Sequence, residues 1–356
     1  MAEKTLLSGN EAVGCGAIYA GCLHFFGYPI TPQNEIPEFM SRELPKIGGV
    51  YLQTEDELAS INMVYGASAA GARAMTSTSS LGFSLMQESI SHMSTSGAPG
   101  VVVDVMRCGP GTGTIQSGQT DYRQVTKGGG HGGYRCIVLA PSSCQEVFDL
   151  MQLAFYLADK YSMVVLVLSD FILGHITEPV ELRTLDFEPL PEKEWALRGT
   201  ENKGGRKDFH MGILIAGIPW FHQQLAEKYQ RITDSEIRYE TCNTENADLL
   251  LVAYGSSARM AGEAMDMARD QGIKVGLFRP ITLWPFPHDV IRGKAEGGCK
   301  FMVVEDNHGQ MIEDVSLAVG DRAKVHFLGM LARHNASTSG MILPGRVLQE
   351  IRRVMG

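Results

Sequence analysis

Tyr51 to Met86 reads YLQTEDELASINMVYGASAAGARAMTSTSSLGFSLM. The stretch predicts a strand, a turn, a helix of small residues, a second strand and a second helix. Short apolar strands alternating with helices are the pattern of a parallel sheet covered by crossover helices. In open α/β sheets, ligands bind beyond the carboxyl ends of the strands. The acidic triplet Glu55-Asp56-Glu57 stands at such an end. Glu57 then has two readings. Thr54 and Glu57 have the spacing of a capping box, in which the Glu returns a hydrogen bond to the Thr amide. Alternatively, Glu57 is a buried carboxylate that hydrogen-bonds a ligand nitrogen.

Outward from this stretch the same alternation continues. Upstream, a helix starts near Glu11, FFGYP is a short strand, and Thr31-Pro32 opens the helix QNEIPEFMSREL, with Thr31 as cap and proline at the first helical position. Downstream, APGVVVDVM (98–106), RCIVLAP and SMVVLVLSD (162–170) are apolar strands of a sheet covered on both faces. Residues 179–210 are polar and carry prolines, and they predict a surface connector arm. A second unit follows, with strands ADLLLVAY, KVGLFRP and KFMVVED and a final amphipathic helix GRVLQEIRRVM. The expected architecture is α/β, with two open, mainly parallel-sheet domains at 1–235 (including the arm) and 236–356.

Composition narrows the function. The chain has 356 residues and a net charge of −9, with no long basic run, which argues against nucleic acid and anionic membrane as partners. Its seven cysteines form no CxxC pair. That argues against a disulfide framework, and against an iron–sulfur cluster or structural zinc held by this chain alone; it fits a reducing cytoplasm. There is no secretory leader pattern and no apolar run of about 18 residues.

Two more residues join Glu57 as candidates. Thr31 sits at a strand-to-helix junction, where a hydroxyl and free helix amides suit a carboxylate or phosphate; its plainer role is the cap. Arg107 ends the strand 98–106 and precedes the loop Gly109-Pro-Gly-Thr-Gly113. Arginine there suits an anionic substrate group through bidentate pairing, or is a surface residue at a loop. His131, in Lys127-Gly-Gly-Gly-His131-Gly-Gly133, and Asp170 are weaker candidates, and Gly255-Ser256-Ser257 is a weak anion-binding signal. No dinucleotide fingerprint, Walker A or GxSxG motif occurs.

The segments GNEAVGCGAIYAGCLHFFGYPITPQNEIPEFM, QTEDELASINMVYGASAAGARAMTSTSS and VMRCGPGTG resemble the alpha subunit of the 2-oxoacid:ferredoxin oxidoreductases. LLLVAYGSSARMAGEA with VGLFRPITLWPFP resembles that family's second domain. The run KGGGHGGYRCIVLAPSSCQE is most similar to the 2-oxoisovalerate (branched-chain) type, with the 2-oxoglutarate type next. The resemblance implies a thiamine diphosphate pyrimidine-binding domain plus a transketolase C-terminal-like domain. It implies a CoA-dependent enzyme that converts a 2-oxoacid to acyl-CoA and CO2 and passes electrons to ferredoxin. It implies that Glu57 hydrogen-bonds the pyrimidine ring, that Thr31 and Arg107 face the substrate, and that Arg107 pairs with its carboxylate. Cys108 departs mildly from the small residue expected there. The diphosphate motif is absent, since Gly320-Asp321-Arg322 fails at its third position. The diphosphate and Mg²⁺ are therefore expected on a beta subunit, and the iron–sulfur clusters on gamma and ferredoxin-like delta subunits. The other reading, from the residues alone, is a non-catalytic α/β scaffold in which Glu57 only caps a helix.

Overall fold

A computed structural model describes residues 4–199, 217–330 and 341–356. In chain order the first region holds β1 (Lys4–Ser8), α1 (Gly9–Tyr19), β2 (His24–Gly27), α2 (Glu35–Glu43), β3 (Val50–Gln53), α3 (Glu57–Ala69), β4 (Ala74–Thr78) and α4 (Leu81–Ser96). It continues through β5 (Gly100–Met106), α5 (Tyr122–Thr126), β6 (Ile137–Leu139), α6 (Cys144–Tyr161), β7 (Val164–Asp170), α7 (Phe171–His175) and β8 (Thr177–Glu181). The second region holds α8 (Ile218–Ser235), β9 (Tyr239–Cys242), β10 (Leu249–Ala253), α9 (Gly255–Arg269), β11 (Val275–Pro280) and β12 (Thr282–Trp284). It ends with α10 (His288–Glu296), β13 (Lys300–Val304), α11 (Met311–Val319), β14 (Val325–Leu328) and α12 (Pro344–Met355).

Among the described residues, the first sheet has strand order β12-β6-β7-β5-β4-β2-β3 and the second β14-β13-β10-β11-β9. Both are open and mainly parallel, as the alternation predicts. Three antiparallel pairings depart from that pattern: β12 on β6, β9 on β11, and a two-stranded ribbon of β1 with β8. The ribbon takes in the first three residues of the 179–210 stretch. Beyond it, Phe187 stacks on Tyr156 at 4.6 Å and Lys193 pairs with Asp159 at 2.6 Å, so the chain lies along α6. Residues 200–210 of the expected arm lie outside the described residues.

Strands β5 and β7 are buried along their whole length. Valine-rich strands pack well on a pleated surface covered on both faces. One apolar cluster fills the α1–α6 side of the first sheet. The cluster on the other side runs from Val102 and Leu166 to Val252, Phe278 and Phe301, and so joins the two sheets in one core. The last cluster packs α9 and α12 on the far face of the second sheet. No helix among the described residues is long and apolar enough to cross a membrane.

Candidate active site

The start of α3 tests the capping reading of Glu57. The helix is capped by Asp56, not Thr54: Asp56 is extended (φ −160°, ψ 178°), and its Oδ1 accepts from Ala59 N at 2.6 Å. Thr54 turns its hydroxyl to Asp56 O (2.9 Å) and Ser60 Oγ (2.5 Å). Glu57 is thereby the first helical residue and has no capping duty, so the capping-box expectation is corrected. Its side chain is buried, at 5% exposure, and among the described residues has no hydrogen bond to another side chain. Burial, followed by the nearby Asp56 charge, pushes its pKa above the usual carboxylate range against the pull of its own amide. A buried carboxylate with that bias can hold a proton.

Gly82, in the first turn of α4, makes room for it. A Cβ at Gly82 would lie 2.5 Å from Glu57 Oε1 and would also collide with Thr78 Oγ1. Thr78 Oγ1 is itself buried without a hydrogen-bond partner. A ring edge carrying both donors and acceptors, as an aminopyrimidine does, fits this pair of groups.

Thr31 does not start a helix. The helix begins at Glu35, because Asn10 Nδ2 draws Pro32 O and Glu35 Oε2 to itself at 2.8 Å each. The Thr31-Pro32 bond is cis, and Gln33 fixes the loop through Tyr28 O (3.0 Å) and Ser77 Oγ (2.5 Å). The cap expected for Thr31 is therefore corrected, and its half-buried hydroxyl has no protein partner among the described residues.

Arg107 is buried, at 8% exposure, which corrects the surface-residue alternative. Its Nη1 donates to Thr31 O at 2.9 Å and its Nη2 to Thr112 O at 2.6 Å, while the buried Nε has no partner. The structure thus brings Arg107 and Thr31 together. Glu57 packs against the Thr78–Gly82 turn. A cleft of about 870 Å³ opens beside Ser80, Pro110, Asp121, Lys127 and His308, and none of the three candidates lines it.

The weaker candidates resolve as structure. Asp170 is fully buried and caps α7 through Leu173 N (3.0 Å). It also accepts from Ser256 N (2.9 Å), so the suspected anion site at Gly255-Ser256-Ser257 already holds one of the protein's own carboxylates. His131 is exposed, and its carbonyl accepts from Ser91 Oγ (2.7 Å). The glycines before it let the loop approach α4 closely, where a Cβ at Gly130 would meet Gln87 O at 2.5 Å. Gly320-Asp321-Arg322 is an exposed turn.

Three polar residues beneath the site were not foreseen. Asp104 is wholly buried, Asp121 nearly so, and Ser80 hydrogen-bonds to both. A single acid inside the valine strand GVVVDVM is the signal that could have found Asp104.

Comparison with known proteins places the chain in a family. Residues 15–236 match the family model "Pyruvate flavodoxin/ferredoxin oxidoreductase, thiamine diP-bdg", and residues 247–340 match "Pyruvate:ferredoxin oxidoreductase core domain II". The ketoisovalerate oxidoreductase subunit VorB of Methanothermobacter thermautotrophicus is 47% identical over 353 residues, 99% of this chain and 98% of that one. The 2-oxoglutarate synthase subunit KorA of Archaeoglobus fulgidus is 38% identical over 92% of this chain and 96% of its own. A solved 2-oxoglutarate:ferredoxin oxidoreductase from Magnetococcus marinus, with 2-oxoglutarate, coenzyme A and succinyl-CoA bound, superposes with a TM-score of 0.88 at 28% identity; this chain spans 66% of that one. A split-gene transketolase shares the fold, with a TM-score of 0.59 at 11% identity. The chain is therefore part of a thiamine diphosphate-dependent oxidoreductase acting on a 2-oxo group. Within that class it belongs to the 2-oxoacid:ferredoxin oxidoreductase family.

Proposed function

We propose that this chain is the subunit that receives the aminopyrimidine end of thiamine diphosphate, in an enzyme that oxidises a branched-chain 2-oxoacid to its acyl-CoA. Thiamine diphosphate, when bound, supplies the carbanion chemistry that releases CO2 from a 2-oxoacid. Glu57 holds or shares a proton at its carboxylate, facing a ring nitrogen in a water-poor setting. Arg107 offers its unpartnered Nε to the substrate carboxylate, held at the right depth by the Thr31 and Thr112 carbonyls. The Thr31 hydroxyl orients the 2-oxo end. Decarboxylation removes the charge that Arg107 pairs with, so Arg107 serves positioning better than tight ground-state binding. The observation that carries the assignment is the uncapped, buried Glu57 carboxylate beside Gly82. Its support for the substrate is the 47% identity to the ketoisovalerate subunit, against 38% to the 2-oxoglutarate one.

The chain lacks the diphosphate motif and cluster ligands, so we place Mg²⁺ and the diphosphate on a beta partner. Iron–sulfur clusters go to gamma and delta partners, with ferredoxin as acceptor in the cytoplasm. We likewise carry the division at 235/236 as a proposal, supported by the limits of the two family matches. The test is dye reduction by the native complex with CoA and 2-oxoisovalerate, 2-oxoglutarate, pyruvate or an aryl pyruvate. CoA-dependent reduction fastest with 2-oxoisovalerate is expected. Fastest reduction with 2-oxoglutarate would move the chain to that branch. Unimpaired turnover in Glu57→Gln would return it to a scaffold.

A further inference from the structure

Beneath Arg107 lies a group of buried polar side chains that the reaction as described does not use. Ser80 is its centre. Its backbone sits at φ 43°, ψ −87°, a region side-chain-bearing residues avoid and which persists only where surroundings impose it. Here two carboxyls impose it. Ser80 N donates to Asp104 Oδ1 at 2.7 Å, and Ser80 Oγ donates to Asp121 Oδ2 at 2.5 Å. Gln124 Nε2 closes the group, reaching Asp121 Oδ1 (2.6 Å) and Ser80 O (3.3 Å). From this fixed position Ser80 touches both halves of the site. Its Oγ accepts from Arg107 N at 3.1 Å, and it precedes the α4 turn in which Gly82 abuts Glu57.

We infer that Asp104, Ser80 and Asp121 form a positioning unit for the 2-oxoacid site, in which the two buried carboxyls carry one negative charge between them and lock the main chain of Arg107. The inference rests on the reading of Arg107 given above. Asp104 keeps the proton. It is wholly buried and its Oδ2 has no partner, so a charge there would be uncompensated. Burial, and then the Asp121 charge, hold it well above the carboxylate range. Asp121 carries the charge. Both its oxygens have donors and the Arg107 charge favours the ionised form, although burial still brings its pKa up to about 6. Among the described residues, the titratable and charged groups facing Asp121 are Asp104 from β5, Arg107 just after it, and Tyr254 at the N-terminus of α9. Below about pH 6 the charge is lost and Ser80 is held less firmly.

The test is steady-state kinetics of the assembled complex with its 2-oxoacid from pH 5 to 8, reading KM and kcat separately, with assembly checked by size-exclusion chromatography. Asp121→Asn and Ser80→Ala are each expected to raise KM about tenfold with a smaller change in kcat, as a misplaced binding group does. Asp121→Asn also removes the acidic limb of kcat/KM near pH 6. A limb belonging to Glu57 would survive that change. Asp104→Asn, which imitates the protonated acid, restores most of what Asp104→Ala loses. If Asp121→Asn does not assemble, Ser80→Ala, which keeps both carboxyls, carries the same expectation. Arg107→Ala separates the two layers of the argument. If it leaves KM unchanged, the reading of Arg107 falls and the unit falls with it. If it raises KM while Ser80→Ala and Asp121→Asn leave KM and the acidic limb untouched, the unit alone is overturned.

Discussion

Two groups of strand ends, those of β4 and β5 in the first sheet and those of β10 and β13 in the second, are finished differently. At the ends of β4 and β5, Thr78 Oγ1, Ser79 Oγ, Asp104 Oδ2 and Arg107 Nε are buried without partners. At the ends of β10 and β13 nearly every group is satisfied from within. Ser256 N finds Asp170, and Ser257 Oγ finds Gln119 Oε1 at 2.7 Å. Glu305, fully buried, accepts from the amides of Gln310, Met311 and Ile312 at the start of α11 and from Asn307 Nδ2. Asp306 Oδ1 is the exception there. Buried polar groups are normally paired, and each orphan costs about 1–3 kcal/mol. Among the described residues the orphans gather at the ends of β4 and β5, beside Glu57 and Arg107, which is the place the proposed function gives to a ligand.

The contrast can be broken in order of expected effect. Glu57→Gln should lose at least about 10²-fold in turnover, the range of a missing proton-transfer group, while the complex still assembles and binds CoA. Arg107→Ala should lower kcat/KM by about 10²-fold, mostly through KM for the 2-oxoacid, because truncating one partner of a desolvated charge pair costs about 2–5 kcal/mol. Gly82→Ala should cost about tenfold in turnover by displacing the Glu57 carboxylate, read in the same dye assay. Asp170→Ala belongs to the second group. It should lower stability by about 2 kcal/mol in thermal unfolding, with KM unchanged, since it removes a cap and a second buried acceptor. A KM effect there would erase the distinction between the two groups.

The smallest effect is a matter of sign. The folded-state pKa of Glu57 is raised, so the folded chain binds that proton more tightly than the unfolded chain. Ionised Glu57 therefore opposes folding above its folded pKa, and the penalty fades as pH falls through that value toward the ordinary 4.5. The cofactor-free Glu57→Gln complex should melt slightly higher than wild type at pH 7 and no higher at pH 4. The reverse order would place Glu57 back in a stabilising cap.

Sequence periodicity carried the two parallel sheets well, because valine runs such as GVVVDVM admit few other readings. Glu57, Thr31 and Arg107 were visible as residues at strand ends, and the resemblance supplied their roles. Their surroundings were not legible. Asp56 and Thr54 both suit a helix cap, and only the backbone at Asp56 decides between them. The late start of α2 depends on Asn10, a residue more than twenty positions away. The antiparallel strands were missed for the same reason, since β9 and β12 are three or four residues long and are defined by what they pair with.

The short strand β12 also determines how the chain can be divided. It lies far along the chain, yet it completes the first sheet by pairing with Val138 and Leu139, and Ile281 O accepts from Ala140 N. A polypeptide ending near residue 236 would leave β6 as a bare edge, open to pairing with any extended chain. It would also strip Val252, Phe278 and Phe301 from the apolar cluster shared with Val102 and Leu166. The first sheet thus draws its edge strand and part of its apolar cover from the second region of the chain.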